Sequence, residues 1–337
     1  DVATVSSNSG TVSFDRSVYP VPFAKGDLRE GNNDSATTDQ TETGNVTAWI
    51  TVSDGDETGD TLTSASGTGA GTILVKLIEG TTTSTCFTAG STVAQTNTNT
   101  SSPQELGPLA EVGSGSGTYE VSVTLDEVQH CGANMRTITS GDIIQVEYVD
   151  TADDAGATST SYDSSTFDLR TGSLSVDKDV YVLGSDVVIT LTDPDLNVDA
   201  TSTESYAMSL IEWDSAASTS KLLDNDSTGV TDFSSNPSSL TETGTDTGVF
   251  QTVTTLPETT VAGNTIKYGE AVTLTYVDVG LSGEDTTEDD VLDVEAYFTI
   301  SNFGALIELD KAVYNWTDTV TFAITAPDHN TNTAGEE

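Results

Sequence analysis

GTVSFDRSVY at 10–19, GSLSVDKDVY at 172–181 and GALIELDKAVY at 304–314 are one segment written three times. Each copy runs through alternating apolar and polar residues, then an aspartate, then Arg or Lys, and closes on a tyrosine. Alternation at period two puts one face of a strand against a core and the other in water. The likeness continues downstream. VTAWITVSDGDETGD (46–60) matches VVITLTDPDLNVD (187–199) and TVTFAITAPDHNTN (319–332), and VKLIEG (75–80) matches MSLIEW (208–213). GTYEVSVTLDE (117–127) pairs with GVFQTVTTLPE (248–258), and GDIIQVEYVD (141–150) with GEAVTLTYVD (269–278). Self-similarity on this scale marks a structural unit repeated along the chain.

Every matched block is a short run rich in Val, Ile, Thr and Tyr bounded by Gly, Asp and Ser, and helical periodicity is almost absent. Val46, Ala48, Ile50 and Val52 alternate with polar neighbours, as do Val187, Ile189 and Leu191. Several short strands per unit with turns between predict an all-β chain of tandem antiparallel β-sandwiches. The units fall at 1–171, 172–303 and 304–337, the third cut in its second strand. A strand pair cannot bury a face alone, so the third unit is expected to continue in a longer array. The first unit carries two polar inserts, 24–44 and 88–102, which read as surface loops.

The chain has 337 residues, 54 acidic against 10 basic side chains, a net charge of −44 and a hydrophobic share of 35%. Such a charge repels nucleic acid and anionic lipid, and no run of about 20 apolar residues is present to cross a bilayer. Most carboxylates lack a basic partner, so cations that screen the surface should stabilise the fold. The absence of an initial Met fits a processed secreted protein. Cys86 and Cys131, the only cysteines, either stay as buried thiols or, as expected outside the cell, form a disulfide worth about 3–4 kcal/mol. Sequons at Asn33, Asn45, Asn99, Asn225 and Asn315 are candidate glycosylation sites.

The most specific polar motif is Asp193-Pro-Asp195-Leu-Asn197-Val-Asp199, followed by Thr201 and Glu204. Oxygen ligands at alternate positions with a closing acid follow the spacing of a calcium loop, although Val198 stands where that loop needs glycine. The first unit offers Asp54, Asp56, Thr58 and Asp60, and the third Asp328, Asn330, Asn332 and Glu337. The alternative is an acidic turn at a strand end, where Asp and Asn are favoured anyway. Further acids cluster at Asp150, Asp153 and Asp154 and at 284–290, and read as solvated faces. Catalytic signals are missing: no nucleophile elbow or phosphate loop occurs, so the chain reads as a non-enzyme. His130 and His329 are expected on exposed loops, the glycines at 67, 69 and 71 in a flexible loop, and Trp49, Trp213 and Trp316 in the core or on a sheet face.

The Asp-Arg/Lys-x-Val-Tyr strand, the VITLTDPDLNVD block, TGVF at 247–250 and the strand ending in Tyr-Val-Asp resemble the Ig-like repeats of surface-layer proteins from ammonia-oxidising archaea. This resemblance implies immunoglobulin-like sandwiches in a secreted, glycosylated subunit that self-associates into a two-dimensional lattice on the cell surface. It also implies metal ions, calcium foremost, at loops and domain junctions, with Asp193, Asp195, Asn197, Asp199, Asp54, Asp56, Asp60 and Asp328 as the carried-over ligands. A negative porous sheet should enrich small cations, ammonium in those organisms. An adhesin or pilus-type filament subunit built of the same domains is the alternative, and a polysaccharide-acting surface protein a more distant one.

Overall fold

A computed structural model describes residues 8–23, 44–55, 57, 61–62, 73–90, 97–98, 102–218, 221–223, 239–257, 260–261, 263–279, 291–302 and 304–331. Among these residues the regular elements are strands and three short 3-10 turns, and no α-helix occurs.

The first unit packs two sheets face to face. One runs in the order β1 (Thr11–Phe14), β3 (Val46–Ser53), β9 (Thr118–Leu125), β8 (Leu109–Glu111) and β4 (Thr61–Leu62). The other runs β2 (Val18–Pro20), β13 (Ser159–Asp168), β12 (Ile143–Asp150), β5 (Ile73–Glu79), β6 (Thr82–Thr88) and β7 (Gln104–Glu105). A hairpin of β10 (Val128–Cys131) and β11 (Asn134–Thr137) lies outside both. Burial alternates along β3 and β12 as their sequences alternate, so the inward side chains of the two sheets meet in a single core that includes Val46, Ile50, Val75, Val123, Val146 and Tyr148.

The second unit repeats this order, except that β7 has no counterpart among the described strands. Its first sheet is β14 (Ser173–Val176), β16 (Asp186–Thr192), β21 (Val249–Thr255), β20 (Ser239–Glu242) and β17 (Ser205–Ala207). Its second is β15 (Val180–Tyr181), β25 (Val291–Ile300), β24 (Glu270–Val279), β18 (Ile211–Ser215) and β19 (Lys221–Leu222). A small hairpin, β22 (Thr260–Val261) with β23 (Asn264–Thr265), completes it. In both units the repeated opening segment begins in one sheet and ends in the other, where it pairs parallel: β2 with β13, β15 with β25. Nearly all other pairs are antiparallel. These are tandem immunoglobulin-like sandwiches, as the repeats predict.

The corner between the two halves of each opening strand is built identically. Asp15 accepts the hydroxyl of Tyr19 and, at 2.8 Å, the amide of Trp49. Asp177 accepts the Tyr181 hydroxyl at 2.5 Å and the Val188 amide at 2.8 Å. Asp310 accepts the Tyr314 hydroxyl and the Thr321 amide at 3.1 Å. The spacing from aspartate to tyrosine therefore encodes a turn that pins the next strand.

Of the third unit, β26 (Leu306–Leu309) and β27 (Phe322–Thr325) form an antiparallel hairpin. Leu306, Ile307, Leu309, Phe322 and Ile324 are exposed there, whereas Val12, Ile50, Leu174 and Ile189 at matching places in the other units are buried. A 3-10 turn, Pro327–His329, follows the hairpin.

Cys86 and Cys131 are joined, closing a separation of 45 residues and tying β6 to the β10–β11 hairpin. Of the insert expected as a surface loop at 88–102, residues 91–96 and 99–101 lie outside the described residues, and the described part is held against the sandwich. Ala89 is buried, and Asn97 accepts the His130 amide at 2.8 Å and donates to Val128 O at 2.7 Å. Apart from Gly44, which pairs with Phe23, the other insert lies outside the described residues.

Candidate functional site at the joints between units

A buried carboxylate node sits at one end of each complete sandwich. Asp193, 1% exposed, accepts the Tyr276 hydroxyl at 2.6 Å and the Asp195 amide at 2.8 Å. Two residues after that tyrosine, Asp278 accepts the amide of Gly172 at 2.7 Å. In the first unit Tyr148 donates to Asp54 at 2.7 Å, and Asp150 accepts the amide of Gly10 at 2.9 Å. The recurring Tyr-Val-Asp therefore places its tyrosine and aspartate against the two ends of the same node. Glycine is required at its neck: Gly117 and Gly248 hold φ of +65° and +59°, and a Cβ there would lie 2.7 Å from Asp54 O and 2.9 Å from Pro194 Cα. Their carbonyls receive the amides of Asp54 and Asp193, both at 2.8 Å. The turns before them wrap a glutamate: Glu242 accepts Thr247 and Gly248 amides at 2.8 Å, and Glu111 accepts Gly115 and Gly117 amides at 3.0 and 3.1 Å.

Burial sets the electrostatics of the node. It pushes the Asp193 carboxyl up, while the Tyr276 hydroxyl and Asp195 amide pull the other way. Burial together with the Asp193 charge raises Asp278 to about 6 and, against the pull of Arg170, Asp195 to about 7. Burial, and then the Asp193 charge and hydrogen bond, hold Tyr276 protonated as the donor. Glu204 rises to about 8 through burial and then the hydrogen bond and charge of Glu242.

The residues marked as calcium ligands are divided among protein donors. Asp195 accepts the Arg170 amide at 2.6 Å and its Nε at 3.2 Å, and Arg170 Nη2 donates to Pro194 O at 2.9 Å. Arg16, from the first unit, donates to Asn197 O at 2.7 Å and Asn197 Oδ1 at 2.6 Å, and its Nη2 lies 2.9 Å from Asp246. Asp199 closes its own turn onto the Thr201 amide at 2.9 Å, and Glu204 accepts the Asp199 amide at 2.9 Å. Asp54 is held in the node, and Asp328 is half-buried in the third unit's 3-10 turn. Asp56, Asp60, Asn332 and Glu337 lie outside the described residues, as does the acid run at 284–290. Among the described residues no three His, Cys, Asp or Glu side chains converge as a metal site.

The 193–199 loop is thus the seam between units. Thr47 N donates to Val198 O at 2.8 Å, Val198 packs against both cores, and Phe23 of the first unit is buried in the second core. The seam recurs one unit later: Asp186 N donates to Thr331 O, again at 2.8 Å. Thr47 and Asp186 hold matching places, as do Val198 and Thr331. The sequence shows the Asp-Arg/Lys pair three times, but nothing in the local pattern reveals that Arg16 reaches across to Asn197.

Other expectations resolve individually. His130 is a half-buried residue of β10 rather than an exposed loop residue, because the disulfide holds its strand against the sandwich, whereas His329 is exposed as expected. Trp213 lies in the second core and Trp49 on β3, but Trp316 is fully exposed because its hairpin has no opposing sheet among the described residues. Asp153 accepts the amides of Ala155 and Ala157 in its own turn. Of the sequons, Asn45 is half-buried and Asn315 exposed, and Asn33, Asn99 and Asn225 lie outside the described residues.

No family model matches the chain, and no curated protein does. Among solved structures, the Escherichia coli adhesin FdeC aligns over 99% of this chain and 79% of its own, at 13% identity and a TM-score of 0.22. The Yersinia pseudotuberculosis adhesin InvE aligns over 88% of this chain and 60% of its own, at 13% identity and a TM-score of 0.22. A family 2 glycosyl hydrolase from Bacteroides cellulosilyticus aligns over 86% and 28%, at 10% identity and a TM-score of 0.19. Likeness this distant transfers no function.

Proposed function

We propose that the chain is an extracellular structural element, a series of Ig-like modules that spans distance at a cell surface rather than turning over a substrate. The observation that carries this reading is the recurrence of one head-to-tail contact, Thr47 N to Val198 O and then Asp186 N to Thr331 O, both at 2.8 Å. A contact repeated in the same register along a chain builds a rod, which suits an adhesin or filament subunit. The disulfide fits an oxidising exterior. A second reading, a subunit of a two-dimensional surface-layer lattice, is favoured by the net charge of −44. Sheets would need cations between carboxylates and would concentrate small cations, ammonium included, by their field. Glycans on exposed sequons such as Asn315 belong to either reading. Negative-stain electron microscopy of the purified protein, with and without calcium, separates them. Rods or fibres support the first, ordered sheets support the lattice, and compact particles with no extended form under either condition overturn both.

A further inference from the structure

The two joints share a backbone contact but differ in what closes around it. In each, a Pro-Asp-x-Asn turn of one unit (194–197, 327–330) meets the aspartate–tyrosine corner of the unit before it. At the first joint the residue after the corner aspartate is Arg16, whose guanidinium grips Asn197 O at 2.7 Å and Asn197 Oδ1 at 2.6 Å while lying 2.9 Å from Asp246. At the second joint that residue is Lys178. Its Nζ turns back on its own corner, 3.9 Å from Asp177 and 5.6 Å from the Tyr181 ring centroid. A cleft lies at both joints, about 460 Å³ between Asp15, Arg16, Arg170, Asn197 and Asp246 at the first and about 310 Å³ between Lys178, Asp179, Tyr181, Ser185, Pro327 and Asn330 at the second, so the joints differ in the donor that crosses them rather than in the space left over.

One flanking residue follows the same trend. Where Phe23 is buried in the second core, the second joint has Ser185, equally far beyond its corner tyrosine. Where Arg170 clamps Asp195 and Pro194 O, the strand registers place Phe303 at the matching position, which lies outside the described residues.

We propose that the turn-in-corner contact is the surface by which each module of this kind docks the next, its partner being a Pro-Asp-x-Asn turn, and that the residue after the corner aspartate decides how tightly the joint closes. The planar fork of arginine satisfies a carbonyl and an amide oxygen together in one fixed orientation, whereas a lysine ammonium is a rotatable point charge that has no such preference. Arg16 therefore locks the first joint, and Lys178 leaves the second as a hinge. The inference deepens the serial reading by naming how its joints close, yet it concerns the joint alone, so it can fail while that reading survives.

Spin labels measure it directly. The disulfide leaves no free cysteine, so Thr160→Cys with Val253→Cys reports the first joint and Val253→Cys with Glu308→Cys the second. Pulsed electron resonance on the full chain should give a distance distribution about twofold broader across the second joint than across the first, as for units joined by a small polar contact. Arg16→Lys should broaden the first distribution to resemble the second, and Lys178→Arg should narrow the second while leaving the first alone. Equal widths in the parent chain, or an Arg16→Lys distribution as narrow as the parent's, would overturn the proposal. Because Lys178→Arg adds a contact rather than removing one, unchanged width in that variant also counts against it.

Discussion

Asp193 and Glu204 show how little the number of acids says about their state. Asp193 is sealed between a tyrosine hydroxyl and an amide, and Glu204 lies against Glu242, which three donors hold as its ionised partner. A carboxyl whose folded pKa rises to about 8, from the usual value near 4.3, binds its proton more tightly in the native state than in the unfolded one. Its contribution to stability is complete below the unfolded pKa and is lost as pH rises through the folded one. Asp195 and Asp278, raised to about 7 and about 6, act with the same sign. The melting temperature should therefore fall between pH 5 and pH 8.5, and Glu204→Gln should flatten that slope and raise stability at the alkaline end. Calorimetry across this range checks it; a parent chain whose melting point climbs with pH, or a variant with the parent slope, refutes the assignment of the proton.

Among the elements, the strands were legible and the turns only partly so. Alternation in 46–52, 187–191 and 119–125 marks strands whose inward sets are buried, apart from the half-buried Val121. A repeated sequence also means a repeated strand order, which the two complete units obey. The calcium-like spacing at 193–199 is ambiguous because a turn that caps itself and a loop that wraps an ion use the same Asp and Asn residues; spacing alone does not say which donors those oxygens meet. Glycine at 117 and 248 belongs to this scale too. Gly248→Ala should cost about 2–3 kcal/mol, since it combines a left-handed φ with a backbone clash. Gly263→Ala, at φ +77° with nothing within 4 Å of its Cβ, should cost only about 1 kcal/mol. Urea midpoints of the two variants give the comparison, and equal losses would show that the close approach to Pro194 is relieved without cost.

For the whole molecule, a net charge of −44 dominates behaviour that no single contact explains. With so few basic groups, and with Arg16 and Arg170 committed to the seam, the remaining carboxylates repel across the surface. Raising sodium chloride from 10 mM to 500 mM should lift the melting temperature by about 5 °C or more, gradually and without saturation, as screening does. Calcium at matched ionic strength should act in the same graded way. A sharp, saturable step at micromolar calcium would instead reveal a coordinated ion and support the loop-ligand expectation.

Taken alone, the chain of letters determined the sandwich class and the recurrence of its strands from unit to unit. Period-two burial and internal repetition are local properties, written residue by residue. Tertiary structure alone decided that the Asp-Pro-Asp-Leu-Asn segment is a seam held by arginines from outside its own loop, and that Arg16 and Lys178 serve matching joints differently. Those outcomes depend on which donor arrives from 181 residues away. Spacing along a backbone carries no information about such an arrival until the sheets have closed and the units have met.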